Sequence, residues 1–210
     1  MKSISVKAHA KINIGLDVLR RRSDGYHDVC MIMQSLSLHD DLTIKITDKE
    51  NISLKSNLVY LPNDRRNLVY KAAALFMEAN SIKCGLEINL NKKIPVAAVL
   101  AGGSSDAAAA LKGLNQLFQA GMSDAELMQL GVKIGADVPY CILLGTALSE
   151  GIGERLTPLP PIPDCHILLV KPDISVSTRQ VYESLRLDST TIHPDIEGMK
   201  EALVSADLDA

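Results

Sequence analysis

Apolar and polar positions alternate along most of residues 3–47: ISVKA, KINIGLDVL, CMIMQSLSL and LTIKI each repeat at the two-residue period of a half-buried strand. An antiparallel β region is predicted there. Between the second and third of these runs, RRRSDGYHD carries Asp24-Gly25, a turn pair, which leaves Tyr26 and His27 without a turn role. NISLK adds a short strand. The period then changes: in LPNDRRNLVYKAAALFMEAN, Leu68, Ala72, Leu75, Phe76 and Ala79 fall at helical spacing, so a helix should begin near Arg66. Gly85 opens the strand LEINLNKK and Pro95 closes it. A helix is expected from about Ser104 to Gln119 with a stop at Gly121. Ser123 to Glu126 is a capping-box pattern that starts another helix, ending at Gly135. Beyond it, ADVPYCILLGTALSEGIGERLTPLP reads as short extended pieces and CHILLVKP as a strand. ISVSTRQVYESLRL reads as a loop into a helix, and HPDIEGMKEALVSADLDA as a further helical piece.

This order of elements predicts an α+β protein with helices packed on a mixed sheet. The Pro-rich bridge PLPPIPD places a domain boundary at Pro158, giving regions 1–157 and 158–210. One strand and two helices after the bridge are too little for an independent core, so the second domain is expected to be incomplete.

Composition narrows the function classes. Of 210 residues, 47% are hydrophobic and 3% aromatic with no Trp, so the core rests on aliphatic side chains. The formal net charge of −3 gives no electrostatic reason to expect nucleic acid or an anionic membrane as partner. Four scattered cysteines form no CxxC pair and read as buried hydrophobes in a reducing compartment. No secretory signal or membrane-spanning run is visible, and a cytoplasmic protein is expected.

The candidate chemistry gathers in three places. In PVAAVLAGGSSDAAAAL, Gly102 and Gly103 permit close approach to the main chain, and Ser104 and Ser105 follow where a helix should begin. Free amides, the positive end of a helix dipole and two hydroxyls would suit a phosphate; a plain turn and cap is the other reading. The text matches neither GxxxxGK[ST] nor GxGxxG. Lys11 and Asn13 occupy alternate positions of one strand and share a face, which could simply be a wet face. Asp137, in an otherwise apolar segment, could be a general base or the cap of an element beginning at Val138.

Together KINIGLDVLRRRSDGYHDV, the glycine loop, IGADVPYC and SEGIGERLTPLP resemble the GHMP small-molecule kinases, from about Val6 to Tyr182 and in the family order. The resemblance implies the two-domain fold of that family, with an ATP-binding N-terminal domain and the start of a ferredoxin-like C-terminal one. It further implies transfer of the γ-phosphoryl of ATP, with Mg2+, to a hydroxyl of a cytidine-diphosphate-linked methylerythritol in non-mevalonate isoprenoid synthesis. The loop residues Pro95, Val96, Ala97, Ala98, Val99, Leu100, Ala101, Gly102, Gly103, Ser104 and Ser105 would then wrap the ATP phosphates. Lys11 and Asp137 match the catalytic pair. Asn13, Tyr26, His27 and Tyr182 match substrate-site positions, with His27 on the cytosine edge and Tyr182 stacked on its ring. Lys92 and the segment from Leu61 to Asn67 match the adenine end, and the metal ligands are not assigned. Val99 and Leu144 stand where the family has glycine, and a late glycine-rich block of the family is not found before Ala210. Two other readings therefore stay open: a shortened, non-catalytic form that binds nucleotide, and a kinase of another small alcohol.

Overall fold

The computed structural model describes residues 2–172, 178–188 and 190–205. The chain divides into two compact units, each discontinuous in sequence. The first comprises Met1–Lys11, Leu36–Pro95 and Leu100–Leu143; the second comprises Ile12–Ser35, Val96–Val99 and Leu144–Ala210.

The four alternating stretches at the start of the chain form two long strands, β1 (Ser3–Arg21) and β2 (His27–Thr47). They pair with each other and are joined through the turn at Gly25, whose φ of 86° is one that glycine adopts without strain. No proline interrupts either run. The polar break HDD inside β2 is tolerated because Asp40 turns inward and accepts backbone hydrogen bonds, including one of 2.8 Å from Ile94 N–H.

In the first unit, β2 pairs antiparallel with β4 (Gly85–Asn91), from Asp41 opposite Asn91 to Thr47 opposite Gly85. β4 in turn pairs parallel with β3 (Ile52–Ser56), so the sheet is mixed as expected. Four helices follow the sheet pattern: α1 (Leu68–Ala79), α2 (Gly102–Phe118), α3 (Asp124–Val132) and α4 (Val138–Leu143). α1 starts at Leu68 because Asn67 caps it, its side-chain oxygen accepting from Val69 N–H at 2.9 Å. Its buried face, Val69, Ala72, Ala73 and Phe76, joins Ala107, Ala108, Ala110, Leu111 and Leu114 of α2 and Leu42, Ile44, Leu86 and Ile88 of the strands in the core. Burying each of the large side chains is worth about 1.5–3 kcal/mol. The Ser123 and Glu126 capping box opens α3 as predicted.

Residues 138–143 were expected to be extended and instead form α4. Cys141 N–H donates to Asp137 C=O at 3.1 Å, and Pro139 lies in the first turn, where its missing N–H has no helical partner to lose.

In the second unit, β2 pairs antiparallel with β5 (Thr146–Gly151), Val29 opposite Gly151 and Gln34 opposite Thr146. β5 pairs antiparallel with β6 (Arg155–Pro158). Two helices come later, α5 (Thr178–Ser184) and α6 (Ile196–Ser205). Ile196 and Leu203 of α6 bury against Ile14, Cys30, Ile32 and Leu148. The segment CHILLVKP is not a strand. Among the described residues it has no strand partner, and Leu168 and Val170 are 87% and 82% exposed. Its apolar run is strand-like in text, but a strand needs a neighbour to take its amides and carbonyls. The predicted loop at residues 173–177 and the end of the last helical stretch, 206–210, lie outside the described residues.

Candidate active site

The glycine loop is held in an unusual backbone conformation. Ala97, Val99 and Ala101 have φ of 55°, 59° and 54°, so every second residue is left-handed. Such alternation of hand is how successive N–H groups come to line a concave anion site. Val99 is β-branched and therefore a genuine outlier at this φ; Leu144, the other position where the resemblance leads one to expect glycine, has φ 64°. Both residues thus fall where the backbone favours glycine. α2 starts directly after Ala101, which offers no side-chain cap, and its first turn holds no acidic residue. The amides of Gly102, Gly103 and Ser104 have no carbonyl to reach inside the helix, and the positive end of the dipole lies with them.

The end of the loop is fastened to β1. Lys11 N–H donates to Leu100 C=O at 3.1 Å, and Ser105 Oγ donates to His9 C=O at 2.6 Å. Lys11 Nζ is 3.9 Å from Asp137 Oδ2, with the lysine buried and the carboxylate 35% exposed. This is the contact that sequence spacing could not establish. Asp137 sits just ahead of α4, yet among the described residues its side chain makes no hydrogen bond to an α4 amide, so capping does not occupy it. A partly exposed carboxylate beside a buried ammonium can accept a proton from a hydroxyl placed against it.

Beneath the loop lies a buried charge cluster that sequence reasoning missed. Lys92 Nζ donates to Asp40 Oδ2 and, at 2.7 Å, to Asp106 Oδ2. A Cβ on Gly102 would stand 3.1 Å from this ammonium and 3.2 Å from Ile94 Cγ2, so the start of α2 rests almost directly on Lys92. Asp40 is satisfied by the amides of Lys93 and Ile94 as well. Among the described residues Asp106 Oδ1 has no hydrogen-bond partner. Burial raises the Asp106 carboxyl to about 7, against the opposing pull of Lys92. One ammonium between two carboxylates leaves one proton wanting, and Asp106 is the less well-satisfied acid to carry it. The signal in the text was an acid inside an alanine-rich helix, which burial obliges to find a partner. Lys92, matched to the adenine end by resemblance, spends its side chain here; its backbone N–H and C=O are bracketed by the Asn57 amide at 2.8 and 3.1 Å.

The second unit brings together two of the four predicted substrate residues. His27 is buried, and its ring centroid is 5.3 Å from that of Tyr182 with the planes tilted by 49°. They line a cavity of about 540 Å³ whose wall also includes Arg21, Arg186 and His193. Tyr26 is 59% exposed, on the turn where its N–H donates to Asp24. Asn13 donates to Met31 Sδ at 3.4 Å.

Residues 67–145 match the model of the GHMP kinases N terminal domain. The chain is 60% identical over 208 residues to a 4-diphosphocytidyl-2-C-methyl-D-erythritol kinase of Lachnoclostridium phytofermentans, covering 99% of this chain and 72% of that protein. The chain belongs to the 4-diphosphocytidyl-2-C-methyl-D-erythritol kinase family of the GHMP kinases. A second such relative, from Lachnospira eligens, is 53% identical with the same coverage of each chain. A solved 4-(cytidine 5'-diphospho)-2C-methyl-D-erythritol kinase superposes with a TM-score of 0.78 at 35% identity, over 97% of this chain and 72% of that one. A homoserine kinase from Cytophaga hutchinsonii, at 21% identity and a TM-score of 0.71 over 99% and 69%, shares the fold. As GHMP kinases are ATP-dependent, ATP is the implied phosphoryl donor. No helix among the described residues is long and apolar enough to cross a membrane.

Proposed function

We propose that this chain transfers the γ-phosphoryl group of ATP to a hydroxyl of 4-diphosphocytidyl-2-C-methyl-D-erythritol, a step of non-mevalonate isoprenoid-precursor synthesis. The observation that carries the proposal is the Lys11–Asp137 pair, 3.9 Å apart, with Lys11 on a strand that is hydrogen-bonded to the end of the glycine loop. In this reading the loop amides from Pro95 to Ser105 offset the charge of the triphosphate. Asp137 accepts the proton of the substrate hydroxyl as its oxygen attacks the γ-phosphorus and ADP departs. The Lys11 ammonium orients that oxygen and offsets its developing charge. His27 reads the cytosine edge, Tyr182 stacks on the ring, and Asn13 and Tyr26 complete the substrate contacts.

Magnesium belongs to the same reading: the Ser104 hydroxyl, a hard oxygen donor in the first turn of α2, would hold the ion together with the phosphates. When bound, it offsets the charge of the transferring phosphoryl group. Four free thiols suit a reducing compartment, and a cytoplasmic location is part of the same reading.

The test is incubation with Mg-ATP and 4-diphosphocytidyl-2-C-methyl-D-erythritol while ADP is followed. ADP release that depends on the alcohol is expected. A second reading, nucleotide binding without transfer, is favoured by the left-handed Val99 and Leu144 alone. Calorimetry with ATP separates the two, because binding with no ADP release would support the second.

A further inference from the structure

We propose that Lys92 is the clasp of the glycine loop: its ammonium ties the residues that enter the loop to the helix that leaves it, and so sets how tightly the loop amides hold the phosphates of the nucleotide. The inference rests on the reading of Pro95 to Ser105 as the phosphate site. Lys92, Asp40 and Asp106 are buried and act through the backbone they hold, which makes all three positioning residues.

The entry to the loop is fixed from several directions. Asp40 on β2 accepts from the Lys92 ammonium with one carboxylate oxygen and from the N–H groups of Lys93 and Ile94 with the other. The Lys92 backbone is held as well, its N–H donating to Asn57 Oδ1 at 2.8 Å and its C=O accepting from Asn57 Nδ2 at 3.1 Å. Ile94 buries its side chain, and Pro95 follows directly. Three consecutive residues therefore reach the loop with their backbone already placed.

The exit is tied to the same ammonium. Asp106 lies one turn into α2, and its Oδ2 accepts from Lys92 Nζ at 2.7 Å. A Cβ on Gly102 would stand 3.1 Å from Nζ and 3.2 Å from Ile94 Cγ2, so the two ends of the loop meet over one charge. That first turn of α2 carries the amides of Gly102, Gly103 and Ser104, and the height and rotation of the helix above Lys92 decide where those N–H groups point.

Stability alone does not account for the acid in α2. Among the described residues Asp106 Oδ1 has no hydrogen-bond partner, and a buried polar atom left in that state costs folding free energy. Alanine, the best helix former and the residue at the next four positions, would remove that cost. A buried ion pair is weak grounds for stability, and its best-attested use is to fix register. Register is what Asp106 supplies: one hydrogen bond from a fixed ammonium sets α2 against the loop's entry.

Asp106→Ala tests the clasp. It leaves Lys92 paired with Asp40 and strands no carboxylate, so the chain should keep its fold. Asp106→Leu, close to the carboxyl in shape, is the second variant in case the smaller side chain leaves a void that unfolds the protein. Calorimetry of the full chain with Mg-ATP is expected to show about tenfold weaker affinity in either variant, the size of one charge-assisted hydrogen bond. Asp106→Asn still offers an oxygen to Lys92 and should bind within about threefold of the unaltered protein. In turnover, KM for ATP should rise in the alanine and leucine variants while KM for the alcohol stays within about twofold, a split that a general loosening of the fold would not produce. A folded alanine or leucine variant that binds ATP as tightly as the unaltered protein overturns the clasp and leaves the loop standing as the phosphate site. An asparagine variant as weak as the alanine one, a KM for the alcohol that rises with that for ATP, or failure of both the alanine and leucine variants to fold overturns it too. If the unaltered chain does not bind ATP, the phosphate-site reading itself fails and the clasp falls with it.

Discussion

Around the glycine loop the groups offered to a ligand are backbone amides steadied from below by buried charge, whereas the second-unit cavity offers side chains steadied from behind by a strand. Gly102 rests on Lys92, which is itself clamped between Asp40 and Asp106. His27 faces Tyr182, and His193 is braced by Asp17. A site made of backbone depends on conformation, so substitutions there should act first on stability and then on affinity. A site made of side chains should lose affinity at little cost to the fold.

The largest effect on stability is expected from Lys92→Met. Removing the ammonium leaves the buried Asp40 carboxylate and the Asp106 carboxyl without the donor they share, and unfolding in urea should show a loss of about 3–5 kcal/mol. A loss below about 1 kcal/mol would mean that the loop does not depend on the cluster beneath it.

Asp106 sharpens the same point through pH. Its carboxyl lies at about 7 in the folded chain, above its ordinary value of 3.8, so the folded state binds a proton more tightly than the unfolded state does. The stability from this group is fully present below about pH 4 and falls as pH rises through about 7, by on the order of a few kcal/mol. Asp106→Asn should flatten that part of the stability profile measured between pH 4 and 8. An unchanged slope would place the titrating group elsewhere.

In the cavity, Tyr182→Ala should weaken cytidine binding by about 1–3 kcal/mol with the unfolding midpoint nearly unmoved. A large fall in the midpoint would show that the ring is structural. The smallest effect belongs to Val99→Gly. A left-handed L-residue costs roughly 1–2 kcal/mol, and glycine returns about 0.5–1 of this as lost chain entropy. Val99 is 61% exposed and has little burial to lose, so a net gain of about 0.5–1 kcal/mol in urea unfolding is expected. A loss would show that the valine side chain holds the loop.

The same contrast explains what could be read in the text. Loop and helix-start signals are written in consecutive residues, so the helix that begins around Gly102 to Ser105 and the strand before it were legible, whereas the glycine expected at Val99 came from the family resemblance and its φ of 59° agrees with that expectation. The Ser123 capping box and the strand periodicity are local too. Lys11 and Asp137 were separately visible, but their approach is a product of packing β1 against the start of α4. The Lys92 cluster and the Asp17–His193 pair join residues 14, 52 and 176 positions apart, and no spacing rule brings such residues together. α4 was misread because VPYCIL is short and apolar, where period does not separate a buried helix from a strand. CHILLVKP failed for the opposite reason, since its pattern is strand-like but strand formation depends on a neighbour the described residues do not supply.

The central claim is that Asp137 takes the substrate proton in a phosphoryl transfer, and Asp137→Asn tests it most directly. The asparagine keeps the shape and removes the base. ADP release in the presence of Mg-ATP and 4-diphosphocytidyl-2-C-methyl-D-erythritol should fall by about 10²–10⁴-fold while ATP affinity by calorimetry stays within about twofold. Turnover that matches the unaltered protein would contradict the account.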